Sequence, residues 1–163
     1  MNKFVQYFLA VVLVVFAANI SRAQNKPPLF KDYPVAETYT GKNAPLVLRR
    51  EDVTFRTRLR EAAKGKPNFA GHYIVASWGC GAGCLMGAVI DAKTGRVSSF
   101  PHTICCWESV DEKFQPIEFR LNSSLIVFSG LRNEKEGDNG AHFYKFQNGK
   151  FVHVRSILKA NQE

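Results

Sequence analysis

The chain has 163 residues, 45% of them hydrophobic and 22% charged, with 22 Lys and Arg against 14 Asp and Glu for a formal net charge of +8. That is enough for one domain with a packed core, and the apolar content is too high for a disordered chain. The basic excess is not gathered into a run and no nucleic-acid motif accompanies it, so no nucleic-acid partner is expected, while acidic partners such as anionic lipid or polysaccharide are allowed.

At the start of the chain Lys3 supplies a short positive segment, Phe4 to Ala18 is apolar apart from Gln6 and Tyr7, and Ser21-Arg22-Ala23 offers small residues at alternate positions. This is the pattern of a secretory signal peptide over residues 1–23, with cleavage expected between Ala23 and Gln24. The apolar run is about 15 residues, short of the roughly 20 that span a bilayer, so the mature chain is expected to carry no transmembrane segment. Cleavage removes Lys3 and Arg22 and no acid, leaving 20 basic and 14 acidic residues on 140, a net +6.

Residues 24–50 read as an irregular N-terminal arm, because Pro27, Pro28, Pro34, Pro45 and Gly41 interrupt the scattered apolar positions. A helix follows, capped by Asp52 or Thr54 and running to about Lys64, where Gly65 and Pro67 stop it. Phe55, Leu59, Ala62 and Ala63 share one of its faces, and Arg56, Arg60 and Lys64 form a solvated stripe on another. From residue 72 onward the pattern becomes short apolar runs separated by turn residues. These runs predict strands at 72–78, 85–91, 96–100, 117–121, 125–130, 141–147 and 151–158. Asn148-Gly149 between the last two is a strong signal for a two-residue type I′ turn. The expected fold is mainly β: an antiparallel meander sheet or small sandwich of about seven short strands with the one N-terminal helix packed on it, forming a single disulfide-stabilised domain over 51–163.

The most informative stretch runs from Asn68-Phe69-Ala70-Gly71-His72-Tyr73, through Trp78-Gly79-Cys80-Gly81-Ala82-Gly83-Cys84, to Ile90-Asp91-Ala92-Lys93-Thr94-Gly95. Here the chain resembles a family of small exported bacterial proteins of unknown function that share N-F-A-G-x-Y, then W-G-C-G-x-x-C, then I-D-x-x-T-G. The resemblance covers roughly residues 54–100. It implies a protein of the bacterial envelope, periplasmic or secreted, and it carries no reaction and no ligand. Cys105 and Cys106 lie outside it.

Four cysteines, Cys80, Cys84, Cys105 and Cys106, in an exported chain read first as a disulfide framework. One of the three connectivities joins Cys80 to Cys84 and Cys105 to Cys106, the latter a strained vicinal bond. The two that cross between the segments are favoured, since each closes a loop of about 20 to 25 residues, for which chain entropy gives about 3 kcal/mol. The same residues, with His102, are candidate ligands for zinc or copper(I), but their spacing is not that of a zinc ribbon, and no metal or other cofactor is expected. They are also candidates for thiol chemistry with His72 or His102 as base, although no activating environment is visible. Tyr73, Trp78, Phe100, His102 and Trp107 gather near the cysteines in sequence and make a candidate binding surface; packing over the disulfides is the plainer reading of the aromatic ones. His142 and His153 read as strand-surface residues. Asp111, Glu112 and Glu118 are acidic neighbours that nothing sets opposite one another, and no catalytic residue is assigned.

The expectation is therefore a monomeric, non-enzymatic binding or inhibitory module that uses loops Gly79 to Gly83 and Thr103 to Trp107 to hold an envelope protein, peptide or glycan. The alternative is a thiol- or metal-dependent envelope enzyme built on the four cysteines.

Overall fold

The computed structural model describes residues 26–107 and 115–159; the leader segment 1–23 and the acidic pair Asp111 and Glu112 lie outside them. The described residues form eight antiparallel strands in one open sheet: β1 (Tyr73–Gly81), β2 (Cys84–Asp91), β3 (Val97–Ser99), β4 (Ile104–Cys105), β5 (Ile117–Phe119), β6 (Leu125–Arg132), β7 (Asn139–Gln147) and β8 (Lys150–Leu158). No helix among the described residues is long and apolar enough to cross a membrane.

The sheet consists of two meanders, β1-β2-β3 and β5-β6-β7-β8, stitched together by two residues. Ile104 and Cys105 of β4 pair with Leu85 and Cys84 of β2 on one side and with Arg132 and Leu131 of β6 on the other. Farther along, β3 pairs with β2 and β5 with β6, so the sheet divides beyond β4. The two halves then face each other. The Tyr73 and Phe146 rings meet edge-on at 4.8 Å, and Phe100 meets Phe128 at 5.0 Å. Between them lies the main core, with Phe69, Val89, Ile104, Ile117, Ile126, Phe128, Tyr144 and Phe146 buried. Each fully buried side chain of this kind contributes about 2 kcal/mol through the water it leaves.

The central strands β2 and β6 are buried on both faces. Ala88, Val89 and Ile90 are consecutive buried residues, as are Leu125 to Phe128, so these runs are continuous instead of alternating. The outer face of β1 and β2, with Ile74, Ala76, Trp78, Ala88 and Ile90, is covered by Leu59 of the helix α1 (Arg56–Ala62) and by Phe55 just before it. The outer face of β6 and β7, with Leu125, Val127 and Phe143, is covered by Phe30 and Tyr33 of the N-terminal arm. Backbone bonds fasten that arm along its length, from Val35 N–H to Asn122 O, Tyr39 to Gly71, Ala44 to Ala92 and Val47 to Gly95. Ser123, itself buried, donates its hydroxyl to Phe30 O at 2.8 Å.

The helix begins differently from the expected cap. A 3₁₀ turn at Arg50–Phe55 precedes α1, and Asp52 lies inside that turn, its carboxylate reaching back to accept the Arg49 backbone N–H at 2.8 Å. At the other end of the sheet Asn148 and Gly149 have φ of 52° and 72°, as a type I′ hairpin turn requires.

Candidate functional site

Two regions carry chemistry: a corner where the cysteines converge, and a cleft where the two meanders nearly close. In the corner, the Gly81-Ala82-Gly83 turn brings the ends of β1 and β2 together and a disulfide joins Cys80 to Cys84 across it, with their Cα atoms 5.1 Å apart. This corrects the expected crossed connectivity. A hairpin already holds its two ends at bridging distance, so the local bond forms with the least backbone ordering. Cys105 and Cys106 are not bridged. Cys105 is buried on β4 opposite Cys84, while Cys106 is exposed, and their sulfurs lie 2.6 Å apart. Burial first, then the neighbouring Cys106, push the Cys105 thiol up to about 12.

His102 joins a chain of polar groups with Tyr144, Arg132 and Asp138. Asp138 holds the Arg132 guanidinium by two bonds of 2.6 and 2.7 Å, Arg132 donates to the Tyr144 hydroxyl at 3.0 Å, and Tyr144 reaches His102 Nε2 at 3.0 Å. A hydroxyl that receives from arginine has its own proton to give, so His102 accepts at Nε2 and is neutral. Burial, helped by the Arg132 charge, lowers its pKa to about 4. His142 is buried, which corrects its expected place on the strand surface. Its Nε2 faces two carbonyls, Gly130 O and Asp138 O, both at 3.0 Å, and its Nδ1 meets Ser156 Oγ at 2.8 Å. Facing two acceptors requires the proton on Nε2, and satisfying both nitrogens is what allows the ring to be buried. His153 is exposed and bonds Ser156. Among the described residues no three His, Cys, Asp or Glu side chains are grouped to hold a metal ion.

The candidate aromatic surface is divided between the faces of the sheet. Tyr73, Phe100 and Trp107 pack against the main core, whereas Trp78 lies under the helix, its ring 5.0 Å from Phe55. Trp78, Phe100 and His102 do meet at the wall of a small cleft of about 200 Å³. Trp78 Nε1 and His102 Nδ1 are buried without a well-aligned hydrogen-bond partner.

The larger cleft, about 590 Å³, lies at the seam beside the start of β1, at the far end of that strand from the cysteine corner. Ser98 of β3 donates to Gly149 O at 2.8 Å and so docks the β7–β8 turn on the first meander. Around that contact the cleft gathers Arg49 from the arm, Tyr73 and Asp91 from β1 and β2, Arg96 beside β3, and Lys150 after the turn. Arg49 is shared with Asp52 and Glu51, but Arg96 and Lys150 are exposed and make no ion pair among the described residues. The one carboxylate, Asp91, accepts the Lys93 N–H at 2.8 Å and lies 3.8 Å from His72, whose protonation burial disfavours. The cleft is therefore net cationic. Of the residues read from the sequence as a candidate surface, Tyr73 alone lines it. Arg49, Arg96 and Lys150 were missed because no spacing links them; their only trace was the overall basic excess. Compared with known proteins, the chain matches no family model, no curated protein and no solved structure.

Proposed function

We propose that the chain is an exported, non-enzymatic binding module whose ligand is a carboxylate-bearing peptide or glycan seated in the seam cleft. One observation carries the reading: three cations from separate segments line a cleft of about 590 Å³, and two of them, Arg96 and Lys150, make no ion pair among the described residues. A carboxylate between Arg96 and Lys150 would gain charge-assisted hydrogen bonds, and the adjoining ring or aliphatic segment would lie on Val47 and Tyr73. Export is supported by the leader pattern of residues 1–23 and by the Cys80–Cys84 bridge, a bond that persists in oxidising compartments.

Titration calorimetry with an oligogalacturonate, its neutral methyl ester and a glutamate-rich peptide tests the reading. At least one acid is expected to bind, the neutral ester at least about tenfold more weakly, and Arg96→Ala with Lys150→Ala to remove the binding while leaving the circular dichroism unchanged. Equal binding of acid and ester, binding that survives in the double variant, or no binding of any acid overturns it.

A further inference from the structure

The cysteine corner holds more than a structural bridge. We propose that the four cysteines form one thiol–disulfide exchange unit, in which the Cys80–Cys84 bond and a Cys105–Cys106 bond interconvert through a transient Cys84–Cys105 link.

Three observations lead there. First, Cys84 and Cys105 are register partners on adjacent antiparallel strands. Residues directly opposite one another share a face of the sheet with Cβ atoms about 5 Å apart, which puts a bond between them within a small local adjustment. Second, neighbouring residues of a strand ordinarily point to opposite faces. Cys106 breaks that rule: its φ of 60° turns the chain at the end of β4, so that its sulfur comes to 2.6 Å from that of Cys105. A left-handed conformation at a residue with a side chain costs about 1 kcal/mol, and such positions gather at functional sites. Third, the ends of the series are more accessible than its middle. Cys80 and Cys106 are exposed, Cys84 is half-buried and Cys105 is buried, so outside thiols or disulfides meet the unit at either end.

The exchange balances within the chain. The Cys105 thiolate attacks Sγ of Cys84; the Cys80–Cys84 bond breaks, and Cys80 leaves as a thiolate that takes up the proton Cys105 has lost. The Cys106 thiolate then attacks Sγ of Cys105; the Cys84–Cys105 bond breaks, and Cys84 takes up the proton from Cys106. Two electrons pass from Cys105 and Cys106 to Cys80 and Cys84, with no outside oxidant. Because Cys105 is protonated near neutral pH, the rate is expected to rise about tenfold for each pH unit between 7 and 9.

The test uses the full chain brought to the one-disulfide stage, quenched in acid, alkylated and mapped by mass spectrometry. Both Cys80–Cys84 and Cys105–Cys106 species are expected, in the same ratio whether reached by partial oxidation or by partial reduction. A one-disulfide population holding Cys80–Cys84 alone overturns the proposal. Cys80→Ser combined with Cys106→Ser leaves only Cys84 and Cys105, which oxidised glutathione is expected to join, seen as the loss of two alkylation sites; alkylation of both residues in that variant overturns it. If that variant does not fold, Cys106→Ser blocks the second step, and a mixture of Cys80–Cys84 and Cys84–Cys105 bonds is expected. Cys80–Cys84 alone there counts against the exchange.

Discussion

Acidification should weaken the fold through His102. The native structure holds this ring neutral, because burial strips it of water and the Arg132 charge lies close by, and Tyr144 contacts its Nε2 at 3.0 Å. Its pKa falls from 6.5 to about 4 on folding. Between those values the unfolded chain binds the proton and the native chain does not, so the contribution is complete above pH 6.5 and is lost as the pH falls toward 4. At 1.36 kcal/mol for each pH unit the difference amounts to about 3 kcal/mol, which the ring's remaining contact with water reduces to about 2. Two measurements check this. An NMR titration of the His102 ring should give a midpoint near 4, and urea unfolding should lose about 2 kcal/mol more between pH 7 and pH 4 in the parent than in His102→Gln, whose side-chain oxygen can still accept from Tyr144. A midpoint near 6.5, or the same pH slope in parent and variant, would refute the reasoning.

Asp138→Asn should remove about 2 kcal/mol by breaking the two-bond hold on Arg132, and it should also move the His102 midpoint lower, since the Arg132 charge then faces the ring uncompensated; a midpoint that rises contradicts the chain of contacts. Replacing Cys80 and Cys84 together by serine should cost about 2 kcal/mol in urea, less than the 3 expected of a longer crossed loop, because the bridge spans a sequence separation of 4; an unchanged midpoint counts against a stabilising bridge. Gly87→Ala places a methyl group against Ala76 O and the Phe100 ring in the interior and should cost about 2 kcal/mol, whereas Gly83→Ala, at φ 62° with open space around it, should cost about 1. Thermal unfolding of the two variants side by side checks the order.

Much of the fold was legible because it is local. Short apolar runs and the Asn148-Gly149 turn marked the long hairpin strands, and Phe55, Leu59, Ala62 and Ala63 gave the helix its buried face. Where the reading fell short, the missing information was not local. The two residues of β4 are too short to show any periodicity and form a strand only because β2 and β6 offer bonds on both sides. His142 alternates with apolar neighbours like any surface residue, and only the fold brings Gly130 O, Asp138 O and Ser156 to its nitrogens. The candidate surface is divided for a local reason, since Trp78 and Tyr73 are five residues apart on one strand and so point to opposite faces of the sheet.

The mainly β class, the strand hairpins and the face the helix buries follow from the order of residues alone, since each depends on residues within a few positions of one another. Tertiary structure decided that Cys84 lies opposite Cys105, that His102 is neutral between the meanders, and that Arg49, Arg96 and Lys150 share one cleft. Those relations join residues tens of positions apart, and distance along a chain holds no record of which surfaces meet once hydrophobic burial has closed the two meanders on each other.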